Sequence, residues 1–383
     1  MPLIYIVAGE QSGDVLGARL MAAIARLRPD IRFAGIGGGA MAAAGMTSLF
    51  PMRELALMGL LEVLPNVLHL RRRLHETVAD IARQKPDVVV TIDSPGFTLR
   101  LLRAIAPLGI PRAHYVAPQV WAWKEGRVKH YPGLWEKLLC LLPFEPAFFA
   151  RHNLPAAFVG HPVLESGADR GNAERFRARH GLAADVRILT VMPGSRRTEV
   201  SRLLPVLGET LNRLSEPVIP VVPLAGPVAE AVRAGTQSWR VRPILIETAD
   251  DKHDAFAASA AALTKSGTST LELALAGVPM LVTYRVNPIS AAIARRLIKV
   301  KYVSILNILA GAEIVPELLQ QDSEPGRLSA VLNRLLTDPA AAAAQVASYR
   351  APLDALRPAA GLPSDAAAAA VLELLATGGK LRA

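Results

Sequence analysis

Short apolar runs rich in β-branched residues alternate with helical patterns along most of this chain, and that rhythm limits its fold more than any other feature. Runs at 3–8, 32–36, 88–93, 113–117, 137–142 and 156–160 each end in a turn signal. Such alternation predicts βαβ units and hence a mostly parallel, doubly wound α/β sheet. After Gly160-His161-Pro162 and a polar, arginine-rich stretch to about residue 184, the rhythm restarts at 186–192, 217–224, 243–247, 261–264 and 279–284. A second Rossmann-like domain begins there. The 383 residues suit two domains of ordinary size, expected at 1–165 and 185–345. The alanine-rich end favours helix, with Asp365 as a cap, and forms a third segment at 346–383.

Composition removes several classes. The chain is 51% hydrophobic and 20% charged, so it is neither disordered nor fibrous. Its one cysteine, Cys140, excludes an intramolecular disulfide and a multi-cysteine zinc or iron–sulfur site, which fits a reducing compartment. With 43 basic against 33 acidic residues the net charge is +10, so an anionic partner is expected: nucleic acid, a phosphorylated substrate or an acidic membrane surface. The N-terminus lacks the charged region of a secretion signal and reads as a core strand, so a cytoplasmic protein is expected. No stretch reaches the roughly 18 apolar residues of a spanning helix, although residues 55–70 are unusually apolar.

Two such domains would face a cleft, and ligands of open parallel sheets bind at the C-terminal strand edges. The first turn reads Gly9-Glu10-Gln11-Ser12-Gly13-Asp14, not G-x-G-x-x-G, and the second strand ends in Gly35-Ile36-Gly37, without an acid for a ribose. NAD is disfavoured, a Walker A loop is absent, and no cofactor or metal is expected.

Two later turns suit an anion. The strand 186–192 runs into Pro193-Gly194-Ser195-Arg196-Arg197-Thr198-Glu199, which brings free N–H groups, a hydroxyl and guanidinium groups to one helix N-terminus. The second, Thr264-Lys265-Ser266-Gly267-Thr268-Ser269-Thr270-Leu271-Glu272, offers a glycine, hydroxyl donors and a glutamate able to accept from a ribose diol. Plain helix capping explains either turn alone; two in one domain point to a nucleoside diphosphate.

In the first domain, Asp93 of Ile92-Asp93-Ser94-Pro95-Gly96-Phe97 is either a general base or a brace for its turn. Glu10 and Asp14 are candidates for gripping sugar hydroxyls, or helix caps. Pro118-Gln119-Val120-Trp121-Ala122-Trp123-Lys124-Glu125-Gly126-Arg127 interleaves aromatics with cations. Lys124 and Arg127 could bind an acceptor phosphate, while core packing suits Trp121 and Trp123 somewhat better than a sugar platform. The apolar 55–70 segment leads into Arg71-Arg72-Arg73, as a bilayer-facing surface or an ordinary buried helix pair would.

An ordered series of motifs resembles the lipid-A-disaccharide synthase family, inverting glycosyltransferases of the GT-B fold. It comprises AGEQSGDVLGA at 8–18, GIGGGAMAAAGM at 35–46, MGLLEVLP at 58–65, KPDVVVTIDSPGF at 85–97, HYVAPQVWAWKEGRVK at 114–129, LPFE at 142–145 and FVGHP at 158–162. MPGSRRTEV at 192–200, KSGTSTLELALAGVPMLVTYR at 265–285 and YVSILNILAGAEIVPELLQ at 302–320 complete it.

The resemblance implies transfer of 2,3-diacylglucosamine from its UDP conjugate to the 6-hydroxyl of 2,3-diacylglucosamine 1-phosphate, with release of UDP. It implies that Ser195, Arg196, Ser266, Gly267, Thr268 and Glu272 hold UDP, with Asn307 and Gln320 near the donor. The acceptor would lie near Gly9, Glu10, Ser12, Asp14, Asp93, Trp123, Lys124 and Arg127. Acyl chains give the apolar surface a use, so peripheral attachment to the cytoplasmic face of the anionic inner membrane is implied, through Leu60, Leu61, Leu64, Val67, Leu68, Arg71, Arg72 and Arg73. The C-terminal helices are expected to return to the first domain, nucleic acid is not an expected partner, and a homodimer is left open.

The family pattern D-x-P-D-F has Gly96 here in place of its second aspartate, which leaves three readings: Asp93 supplies the carboxylate, another acid such as Glu10 or Asp14 substitutes, or proton removal is less demanding than the family pattern implies. Leu306 stands where a proline is usual and Ala312 where a basic residue is common. The rival readings are another GT-B enzyme of UDP-sugars, a 2-epimerase or a peptidoglycan lipid glycosyltransferase, and a non-catalytic nucleotide or lipid carrier.

Overall fold

The computed structural model of the protein describes residues 1–55, 60–287 and 300–380, with side chains described except at 60–66, 227 and 378–380. It divides into two units, Met1–Pro162 with Leu356–Ala383, and Val163–Ala355.

The first unit is built on β1 (Leu3–Ala8), β2 (Arg32–Ile36), β3 (Val88–Ile92), β4 (Arg112–Tyr115), β5 (Lys137–Cys140) and β6 (Ala156–Phe158), all parallel in the order β2-β1-β3-β4-β5-β6. β1 and β3 are buried at every residue, because helices cover both faces and leave no solvent side for polar alternation. Successive side chains take opposite faces. Ile4, Ile6 and Ala8 pack with Leu20, Ile24, Ala367 and Val371, whereas Tyr5 and Val7 pack with Ile81, Leu101 and Ile105. The helix Pro363–Lys380 lies against Gln11–Leu27, where its fully buried alanines permit close approach. Asp365 sits in its first turn, accepts the Leu362 N–H at 3.2 Å and pairs with Arg26, so it reaches back to the cap position instead of occupying it.

The second unit repeats the plan with β7 (Ile188–Met192), β8 (Ile219–Pro223), β9 (Ile244–Ile246), β10 (Ser259–Lys265), β11 (Met280–Tyr284) and β12 (Glu317–Leu319), parallel in the order β12-β11-β10-β7-β8-β9. β12 has no counterpart among the sequence runs; three half-buried residues are too short for a periodic signal.

The units meet the chain at other points than the expected 165, 185 and 345. The polar stretch before residue 184 contains the helix Ala173–His180, capped by Asn172 and anchored in the second unit by Phe176, which is buried beside Ile188 and Val221. Arg175 clamps the buried Asp254 through two hydrogen bonds and holds that carboxyl below its ordinary range. Past 345 the chain stays in the same unit. The Gln345 side chain pairs with the Met280 N–H and carbonyl at 2.7 and 3.0 Å, and the Tyr349 hydroxyl donates to the Val278 carbonyl.

Candidate functional site

Parallel strands end on one edge of each sheet, and the register decides which turns are neighbours there. Ala8 pairs with Ile92 and Ile92 with Tyr115, so Gly9-Glu10, Asp93-Ser94 and Val116-Ala117 stand side by side. Gly9 is required to be small, since a side-chain carbon there would lie 2.5 Å from Ser94 Oγ. Asp93, Ser94, Val116 and Lys124 all have left-handed backbone, at φ 49°, 46°, 77° and 56°. For β-branched Val116 this is a true outlier, and such strain gathers where a site must be shaped. The turn is held by Asp93 N–H donating to the Tyr115 carbonyl at 2.9 Å and by Thr98 Oγ1 donating to the Asp93 carbonyl at 2.6 Å. Burial raises the Asp93 carboxyl above its ordinary value, against the opposing pull of the Ser94 N–H. That is the direction a general base needs.

Glu10 is half-buried at the head of Gln11–Leu27 and Ser12 is exposed in its first turn. Asp14 does something else. Its buried carboxylate accepts the N–H groups of Gly38, Ala40 and Met41 at 2.7, 2.9 and 3.0 Å, so it fastens the turn after β2 and is turned inward. The two tryptophans also part company. Trp121 donates its indole N–H to Glu145 at 3.0 Å and meets Phe144 edge-on, whereas Trp123 is 43% exposed under Lys124 Nζ at 4.5 Å, with Arg127 5.9 Å away. Core packing therefore holds for Trp121 only. Glu145 was not singled out from the sequence; its sign there is an acidic residue in the first turn of the helix that follows β5.

In the arginine-edged segment, residues 56–59 and the side chains of Leu60, Leu61 and Leu64 lie outside the described residues. Val67 and Leu68 are exposed, Leu68 at 80%, and Arg71 and Arg72 are exposed one turn further. Arg73 is not a free surface cation. It is bound to Glu54 and Glu76 and lies 4.5 Å over the Phe50 ring.

In the second unit Thr264 pairs with Met192, which sets the turns after β7 and β10 next to each other. Ser195 and Arg196 are exposed ahead of the helix Arg197–Leu211. The second turn opens the helix Thr268–Leu275, with Thr268 exposed, Gly267 at φ 155°, and Ser266 Oγ donating to the Val303 carbonyl at 2.9 Å. Glu272 is paired with Lys252 Nζ at 2.8 Å. Gln320, at φ 52°, accepts the Val286 N–H at 3.2 Å.

Asn307 is fully buried, contrary to the expectation of a donor contact. Its amide donates to the Val315 carbonyl and Glu317 Oε1, and accepts from the Ile314 and Val315 N–H groups, all at 2.8–2.9 Å. Glu317 in turn accepts the Val303 and Ser304 N–H groups, so the pair shapes the turn on which Ser266 rests. Glu199 is a further residue missed from the sequence. It lies in the first turn of its helix, buried among Arg196, Lys265 and Tyr284. Among the described residues no three His, Cys, Asp or Glu side chains gather as metal ligands do.

Residues 4–371 match the family model described as lipid-A-disaccharide synthetase. The chain belongs to that family. It is 60% identical over 390 residues to a lipid-A-disaccharide synthase from Granulibacter bethesdensis, covering 98% of this chain and 99% of the relative. Among solved structures it resembles a UDP-GlcNAc 2-epimerase from Neisseria meningitidis bound to UDP-GlcNAc, with a TM-score of 0.63, 13% identity, and 98% and 100% of the two chains covered. It also resembles CalG4, the calicheamicin glycosyltransferase, with a TM-score of 0.58, 17% identity and 98% of each chain covered. These distant likenesses concern the fold, which is GT-B. Gly96 is an exposed first-turn position where a side-chain carbon would meet nothing within 4 Å.

Proposed function

We propose that this chain is a metal-independent, inverting glycosyltransferase that joins two acylated glucosamines. The donor is UDP-2,3-diacylglucosamine, the acceptor is the 6-hydroxyl of 2,3-diacylglucosamine 1-phosphate, and UDP leaves. The observation that carries the reading is the family match along residues 4–371. The two turns after β7 and β10 add a physical reason, because helix N-termini and Arg196 can take the charge that grows on a departing diphosphate.

In this mechanism the second unit holds UDP through Ser195, Arg196, Gly267, Thr268 and Glu272, while the first receives the acceptor near Gly9, Glu10, Ser12, Trp123, Lys124 and Arg127. Asp93 takes the proton from the attacking hydroxyl as the anomeric carbon is displaced from UDP in one step, which inverts its configuration. The raised Asp93 carboxyl and its place at the strand edge favour it over Asp14, whose oxygens are engaged by backbone. The exposed Val67 and Leu68 with Arg71 and Arg72 would rest on the anionic cytoplasmic face of the inner membrane as a peripheral contact. Among the described residues no helix is long and apolar enough to cross a membrane.

The test is an assay with purified protein, both diacylglucosamine substrates and no added metal, read by mass detection. A phosphorylated tetraacyl disaccharide with stoichiometric UDP is expected. Epimerised UDP-sugar, or binding of both lipids without a disaccharide, overturns the reading in favour of a 2-epimerase or a carrier.

A further inference from the structure

The buried carboxylate of Glu199 stands beside the two turns proposed above to hold UDP. It is 3% exposed, and its Oε1 lies 3.4 Å from Lys265 Nζ, 3.4 Å from the Tyr284 hydroxyl and 3.6 Å from Arg196. These partners come from the end of β10, the end of β11 and the turn after β7. Oε2 is buried and has no hydrogen-bond partner among the described residues. It faces Gly194, at φ 114°, where a side-chain carbon would lie 2.6 Å from it.

An isolated carboxylate here would repel a diphosphate and would cost free energy to bury. Its presence makes sense if it holds cations in place. Lys265 Nζ lies 3.4 Å from where a Gly267 side-chain carbon would stand, hence over bare backbone, and 5.8 Å from the Tyr284 ring centre. The ammonium is thus suspended between the two glycine turns. Separations of 3.4–3.6 Å are longer than the roughly 2.7–2.9 Å of a tight charge-assisted bond, so neither cation is locked on Glu199.

We propose that Lys265 binds the terminal phosphate of the nucleoside diphosphate and that Glu199, with the Tyr284 hydroxyl, is the positioning residue that aims it. The terminal phosphate is chosen over the inner one by the order of groups. Glu272, proposed for the ribose, lies inside the helix Thr268–Leu275, whereas Lys265 precedes that helix and meets Glu199, which Arg196 also approaches. This rests on the proposed placing of UDP in the second unit.

The experiment titrates UDP and UMP calorimetrically into the wild type, Lys265→Met, Lys265→Gln, Lys265→Arg and Glu199→Gln, with each melting curve recorded. The wild type should prefer UDP. Lys265→Met and Lys265→Gln should lose that preference by about tenfold or more with UMP affinity unchanged, as expected for one charge-assisted contact, and Lys265→Arg should retain most of it. Glu199→Gln should weaken UDP severalfold and leave UMP alone, which a general loosening of the fold would not do. A folded Lys265→Met or Lys265→Gln protein with the wild-type UDP-to-UMP ratio overturns the role of Lys265. An unchanged ratio in Glu199→Gln overturns the positioning role. If the wild type binds neither nucleotide, the placing of UDP itself fails and this inference falls with it.

Discussion

Glu145 Oε1 accepts the indole N–H of Trp121 at 3.0 Å, and its other oxygen accepts the Leu141 and Leu142 N–H groups at 3.0 Å each. One buried carboxylate therefore ties the aromatic–basic loop to the end of β5. Burial pushes this carboxyl up to about 7, with the three donors pulling the other way. Between an ordinary 4.5 and about 7 the folded protein keeps a proton that the unfolded chain has released. Its stabilising contribution is full below 4.5 and is lost as pH rises through 7, by an amount on the order of 3 kcal/mol. The melting temperature of the wild type minus that of Glu145→Gln should fall from about pH 5 to about pH 8. A difference independent of pH would show that Glu145 does not titrate there.

Asp93 is expected to matter for rate and not for folding. Its turn is secured by main-chain bonds, and asparagine tolerates the same left-handed backbone. Asp93→Asn should lower kcat by about 10²–10⁴ with an unchanged melting curve. Near-normal turnover would remove the base assignment.

For Asp14 the opposite is expected. Asp14→Ala leaves three N–H groups without their acceptor and should destabilise the first unit by roughly 3 kcal/mol or more, seen as an earlier denaturant midpoint. A variant as stable as the wild type would return Asp14 to the list of ligand contacts.

Gly96 is exposed in the first turn of Pro95–Ile105 and has open space about it. Gly96→Asp should fold and gain about 0.5–1 kcal/mol, since a helix N-terminus favours an anion and glycine is a weak helix former. Loss of stability would reveal crowding.

Membrane contact is checked by flotation with anionic vesicles. Replacing both Arg71 and Arg72 by alanine should weaken binding by about 2 kcal/mol, roughly thirtyfold at low salt, and Leu68→Asp should weaken it without removing the salt dependence. Unchanged binding in both variants would place the contact elsewhere.

The strand runs, the doubly wound architecture and the two turns that open helices after β7 and β10 were legible along the chain because each rests on local periodicity or on a few consecutive residues. Even so, the three residues of β12 carry no period, and Phe176 draws the polar stretch before residue 184 into the second unit. What tertiary structure alone decided was the use of each polar side chain. Asp14 stands at the start of its helix as a cap or a sugar ligand would, yet the N–H groups of Gly38, Ala40 and Met41 draw it inward. Arg73 is claimed by Glu54 while Arg71 and Arg72 stay in solvent, and Asn307 closes on Glu317. A carboxylate or amide bonds to whatever donor lies within about 3 Å, and that neighbour is set by how strands register and helices pack, which no short stretch of sequence encodes.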